Sequence, residues 1–518
     1  MELRIADCRL QIDCRWRIGR SPQRSPRRFG SACSAISALI VVLALATGSA
    51  AHASELSDDL TARRARVMDR LGPDAMFILW SAPTARYSND VDYPYRQDSN
   101  LYYLTGVTQP DTMLVLMPGN APGRREILFV KDRNPVQEHW NGRLLGADEA
   151  RARTGIQTVL TSSQFEPFVA AMLGRRGHGA VDAAQAARFF DALSAGRATV
   201  GLVLDPDRRV TDPLTPPLEF ARQIRDRFVG FATTDVTKVL SDLRLLKTPY
   251  ERSVLARSFE ISNAAHLAGT RAARPGAYEY EVKAAVEAVH YGRGAAPGYP
   301  SIVGSGPNAT ILHYHEGARQ MRAGDLLLVD AACSLEYLTG DVTRTYPVGG
   351  TFSPAQKAIY DIVLRAQQAG IEAARPGASL QDVHRRTVDV IKAGLLALGL
   401  ITDAGGEQYR IWYTHGASHY IGIDVHDVGE TSLPLEPGMA FTIEPGIYIR
   451  QIALDALPRT PENAAFIEAV QPAVRKYLDI GVRIEDSFLL DESGLRNLSA
   501  ALPKTVDDIE ALMRRPPG

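Results

Sequence analysis

Three apolar runs in the second half of this 518-residue chain each end on, or close over, an acid. "LLLVD" runs from Leu326 through Val329 into Asp330, "AFTIEPGIYI" carries Glu444 at its centre, and "GVRIEDSFLL" carries Glu485. Runs of this composition read as buried strands, and a carboxylate on a buried strand is costly unless something offsets its charge. Eleven residues after Asp330, Asp341 opens a further strand-like run, and Gly340 offers a turn that brings the two acids together. His419 stands just before the apolar "YIGIDVH". Taken singly, each acid reads as a structural carboxylate at least as readily as a ligand. Gathered, four carboxylates repel, and some must take up protons unless cations lie between them. Two divalent cations carry as much positive charge as four carboxylates carry negative. Four carboxylates and one imidazole form a hard donor set that suits manganese first, or cobalt, with zinc and iron compatible. A two-cation site can share a water, lower its pKa and deliver it as hydroxide to a carbonyl.

Other chemistries find no support. His415 and His419 have the spacing of the zinc-protease helix motif H-E-x-x-H, but Gly416 stands where that motif needs a glutamate, and no helical pattern surrounds it. No glycine-rich phosphate loop occurs in strand–helix context, and no G-x-S-x-G nucleophile elbow occurs. His313, His415 and His426 stand near the acids in the chain, while His315 is set aside as a hydrogen-bonded structural histidine.

The first 53 residues differ from the rest. Eight arginines precede the apolar run "AISALIVVLALA", which ends in "SAAHAS". This is the pattern of a cleavable secretory signal cut before Ser54, with an uncleaved anchor as the alternative. The apolar run is short for a membrane span, so a periplasmic or secreted chain with no stable span after cleavage is expected. Against those arginines stand three acids, a net +5; removing it from the overall −1 leaves about −6. A chain of that charge has no electrostatic reason to bind nucleic acid. Cys8, Cys14 and Cys33 leave with the leader. Only Cys333 remains, which excludes an internal disulfide and a thiolate-rich metal site, and it reads as a small buried apolar residue.

From residue 54 to 236, helix-like and strand-like segments alternate, as in an α/β layer domain; "TPP" at Thr215 and "TTD" near Thr233 read as loops. From 237 to 518 long helices alternate with strands that read as mostly antiparallel, an α+β domain. Two helix–helix–strand blocks in succession hint at an internal duplication.

"VDAACSLEYLTGDVTRT", "HGASHYIGIDVHDVG", "TIEPGIYI" and "GVRIED" together resemble the metallopeptidase family of aminopeptidase P, prolidase and methionine aminopeptidase, and "YPYRQDSNLYYLTGV" resembles the N-terminal domain of the first two. The resemblance implies a pita-bread catalytic domain, with Asp330, Asp341, His419, Glu444 and Glu485 as ligands of two divalent ions and Asp341 and Glu485 between them. It implies that His313, His415 and His426 orient substrate or stabilise the tetrahedral intermediate, that Glu444 relays a proton, and that Arg483 supports the last ligand. The implied reaction is hydrolysis of an N-terminal Xaa-Pro bond by a metal-bridging hydroxide. "HGASH" and "HWNGRLLG" look more like aminopeptidase P than prolidase, a dipeptidase, which is the alternative; a non-catalytic peptide-binding module on the same fold is a third. The stretch from about 450 to 479 looks longer than in short bacterial forms and reads as an inserted helical hairpin, with self-association as one use for it.

Overall fold

The computed structural model describes residues 54–204 and 209–514; the leader lies outside them. A mixed six-stranded sheet organises the N-terminal half, in the order Thr158–Thr161, Glu126–Val130, Met113–Leu116, Ala75–Trp80, Ala198–Leu202, Phe231–Asp235. Its central strands are apolar at every position, and their alternation sends side chains to both faces. Phe77, Leu79, Leu114, Leu116, Leu128 and Val130 face one side. Met76, Ile78, Val115, Ile127 and Phe129 face the other, where Phe168, Phe189 and Ile224 cover them. The first face packs on Val67, Leu101 and Leu104, and its cluster runs on into Phe259, Cys333 and Leu335. The two halves therefore share one core. Cys333 is buried there, beside Ser258 and Ser262.

Two segments that read as loops are regular structure. "TTD" lies in the edge strand Phe231–Asp235, whose half-exposed residues gave no apolar signal. In "TPP", Thr215 is the N-cap of the helix Pro216–Arg227, because proline's missing N–H costs nothing in a first helical turn.

The C-terminal half repeats one plan twice. A helix pair, Pro249–Ala272 and Glu279–Gly292, leads to the antiparallel strands Ile302–Ser305, Leu326–Asp330 and Thr343–Pro347. A second pair, Pro354–Ala373 and Leu380–Ala397, leads to Ala440–Ile443, Asp486–Asp491 and Gly494–Asn497. Each block opens on a capping box with proline at N1, Thr248 with Glu251 and Ser353 with Gln356. "AARPGA" joins the helices of both pairs, at 272–277 and 373–378. Gly276 and Gly377 adopt positive φ, 87° and 82°, which only glycine takes without strain. Their N–H groups donate to Met321 and Leu435, each nine residues before an acid, Asp330 and Glu444. The duplication thus sets Asp330 and Glu444 at equivalent strand ends.

Residues 450–479 hold two helices, Gln451–Asp455 and Pro461–Tyr477, inserted between the paired strands Gly446–Tyr448 and Gly481–Arg483. Phe466, Val470 and Val474 turn the longer one into the core. Among the described residues no helix is long and apolar enough to cross a membrane.

Candidate metal centre

Strand register brings the acids together. Asp330 pairs with Thr343, two residues past Asp341. Ile443 pairs with Asp486, so Glu444 and Glu485 lie side by side one step along the same ladder. The segment 417–419 runs beside them, with Thr442 N donating to His419 O and Glu444 N to Ala417 O. The five side chains converge: ligand atoms of Asp330, Asp341 and Glu485 lie within 4.8 Å of one another, as do those of His419, Glu444 and Glu485. His419 Nε2 stands 3.4 Å from Glu444 Oε1, 3.5 Å from Asp341 Oδ2 and 4.0 Å from Glu485 Oε1. Glu485 belongs to both of these triads, and a third group within the same limit joins Asp341 and His419 to His426.

The electrostatics show what the cluster lacks. Burial and the Asp330 charge hold the Asp341 carboxyl well above the usual range. Burial with Asp341 and Asp330 does the same to Glu485, and burial with Glu485 to Glu444. Among the described residues, Arg483 is the arginine or lysine in direct contact with the acids: it donates to Asp330 and, at 3.1 Å, to Thr343 Oγ1. One guanidinium cannot balance four carboxylates. The donor set therefore fits divalent cations, with oxygen donors dominating.

The flanking histidines take separate places. His415 Nε2 is 2.9 Å from Tyr448 Oη, which accepts from Arg483 at 3.0 Å, so the hydroxyl donates to His415. His415 Nδ1 then carries the proton, 2.8 Å from Gly416 O and 3.5 Å from Glu444 Oε2. Burial and Arg483 push its pKa down to about 3. The His426 ring lies 4.2 Å from that of His419, tilted by 55°, and burial with His419 and His313 lowers its pKa to about 4. His313 follows the turn Gly306–Thr310 in an exposed loop.

Three polar contributors escaped the sequence reading. Tyr299 Oη lies 2.6 Å from both Asp330 Oδ1 and Asp341 Oδ1 and shares hydrogen bonds with the pair. It lies in a loop without periodicity, so nothing in the chain pointed to it. Thr343 Oγ1, 2.7 Å from Glu485 Oε2, and Tyr448 carried a usable signal: each lies an even number of residues from an acid along an extended run.

Residues 254–492 match the model of "Metallopeptidase family M24" and 60–181 that of "Aminopeptidase P, N-terminal domain". The Xaa-Pro aminopeptidase of Escherichia coli (strain K12) is 35% identical over 89% of this chain and 98% of its own. Two solved structures, aminopeptidase PepP of Pseudomonas aeruginosa and zinc-substituted E. coli aminopeptidase P in complex with product, each cover 88% of this chain and 98% of their own at 34% identity, with TM-scores of 0.74 and 0.72. The catalytic half thus has the pita-bread fold of aminopeptidase P, and the chain belongs to metallopeptidase family M24, beside the Xaa-Pro aminopeptidases.

Proposed function

We propose that this chain is a Xaa-Pro aminopeptidase holding two divalent cations, and the observation that carries this is the convergence of four acids and His419 in two overlapping triads. Asp330, Asp341 and Glu485 would hold one ion and His419, Glu444 and Glu485 the other. Manganese is the first choice for so oxygen-rich a set, then cobalt, zinc or iron. When bound, the cations supply an activated water and polarise the scissile carbonyl.

The chain's own residues do the rest. Glu444 takes the proton of the attacking water and passes it to the leaving amine, help typically worth about 10²–10⁴-fold. His415, kept neutral and oriented by Tyr448 and Arg483, faces that carboxylate. His426 and His313 donate to the carbonyl oxygen as it gains negative charge. A proline after the scissile bond makes a tertiary amide without an N–H, which calls for a dedicated pocket.

The match along nearly the whole length of Xaa-Pro aminopeptidases favours peptides over dipeptides as substrates. The purified chain with manganese is expected to release arginine from Arg-Pro-Pro, to leave Gly-Pro intact and to stop on chelation. Cleavage of Gly-Pro alone would make it a prolidase, and absence of bindable metal would make it a peptide-binding module. The arginine-rich leader with its apolar run supports export to the periplasm or medium with cleavage before Ser54, which N-terminal sequencing of the exported protein tests. Exposed Tyr87 and Tyr93, in edge-to-face contact at 4.9 Å, support self-association, which light scattering measures.

A further inference from the structure

His426 sits on a loop without regular structure, between Ile421 and Val428. Backbone bonds hold its ends: Ile421 N donates to Ala440 O, Thr339 N to Gly422 O, and Asp427 N to Tyr420 O. The rest is held by Asp424 and Asp427, the two acids that straddle His426, and their partners lie outside the catalytic strands. Arg244, buried on the helix Thr237–Leu245 that joins the two halves, donates to Asp427 and, at 2.7 Å, to Asp424. Lys247 donates to Asp427 at 3.1 Å. The N-terminal half completes the grip. Ser99 Oγ lies 2.7 Å from Asp424, Arg96 donates to Ile423 O at 2.9 Å, and Asn100 Oδ1 accepts from Arg244 at 2.9 Å.

Arg244 and Lys247 thus meet Asp427 in a site where the three side chains are 4%, 1% and 1% exposed, while Asp424, more open, also pairs with Arg96 at 3.4 Å. Gly422 shows how closely the loop is drawn in. A Cβ there would stand 2.0 Å from Asp427 Oδ2 and 2.9 Å from Lys247 Cε. Only glycine leaves room for the acid.

We infer that Arg244 is a positioning residue for the reaction: through Asp427 and Asp424 it fixes the loop that presents His426, and so makes the domain junction part of the catalytic apparatus. The inference rests on the role proposed above for His426. A planar guanidinium spans both acids and Asn100 at once, whereas a lysine ammonium cannot reproduce that fork.

The test uses the full manganese-loaded chain. Arg244→Lys is expected to lower kcat on Arg-Pro-Pro by about 10- to 100-fold, the scale of a small misplacement of a reacting group, while bound manganese and KM stay near wild type. Deuterium exchange of amides 421–428 should speed up, with 440–443 unchanged. Added to His426→Ala, Arg244→Lys should cause no further loss, because both act through one imidazole. Ser99→Ala, which removes one bond to Asp424, should move kcat and exchange the same way by about 2- to 10-fold, and it carries the test if Arg244→Lys does not fold. Multiplying losses in the double variant, or unchanged loop exchange in the single ones, overturns the inference. A wild-type chain that cleaves no Xaa-Pro peptide would remove the activity instead, and loop exchange would still decide the clamp.

Discussion

Glu485 belongs to both donor triads and is 2% exposed, so its loss should cost more than one ligand. Glu485→Ala is expected to bring bound manganese to background in metal analysis and to erase the rise in melting temperature that metal causes in the wild type. That rise follows because an ion that binds only the folded state stabilises it by mass action. His426→Ala separates chemistry from ligation. It should lower kcat about 10²- to 10³-fold, the size of losing one oxyanion donor, with metal content unchanged; a fully active variant would remove its role. Both outcomes trace to differences in environment. Glu485 is buried among like charges, whereas His426 is half-open to solvent beside His419.

The elements that carry the site are held by buried polar pins as well as by apolar packing. Glu279, at the start of the helix Glu279–Gly292, is fully buried. It accepts from Ser305 N and Oγ, Asn308 Nδ2, Tyr314 Oη and Arg319 N, which organises the loop that carries His313. Glu279→Ala would leave those donors without their acceptor. Thermal unfolding should report a loss of roughly 3–5 kcal/mol, as when a buried charged partner is deleted, and KM for Arg-Pro-Pro should rise as His313 loosens. Behind the acids, Gln367 Nε2 lies 3.2 Å from both Ile443 O and Ile484 O, the carbonyls just before Glu444 and Glu485. Lys504 holds that glutamine and also Asp486, which Arg344 pairs at 2.6 Å. A helix, two strands and the C-terminal segment therefore meet behind the two glutamates.

For the whole molecule, acid sensitivity follows from buried histidines. Burial lowers His266 and His290 to about 4, and neither His290 ring nitrogen has a hydrogen-bond partner. In the unfolded chain both titrate near 6.5, so below that pH the unfolded state binds more protons. Stability should then fall as pH drops from about 6.5 to about 4, where the loss levels off. Urea midpoints measured across this range should show the slope, and His290→Phe should flatten it. Asp486 acts lower down. Burial raises its pKa, but Arg344 and Lys504 outweigh that and hold it below the usual carboxylate range. Its contribution is intact above about 3.9 and is lost as pH falls through the depressed value.

How much of this was legible before folding differs by kind of feature. Alternation and apolar runs marked the central strands, and acids inside such runs marked Asp330, Glu444 and Glu485, because the cost of burying a carboxylate is local and leaves a local trace. Two helix–helix–strand blocks in succession hinted at the duplication, which the matching capping boxes and "AARPGA" turns of the structure bear out. Which acids share a site was decided by register, since the pairing of Ile443 with Asp486 and of Asp330 with Thr343 is a long-range choice made by the core. Tyr299, Glu279 and Arg244 likewise acquire their partners only when segments 26 to 183 residues away arrive beside them. A single polar side chain, in a loop like Tyr299 or on a helix like Glu279 and Arg244, carries no sign of its partner; its meaning is its neighbours, and only the packed tertiary structure supplies them.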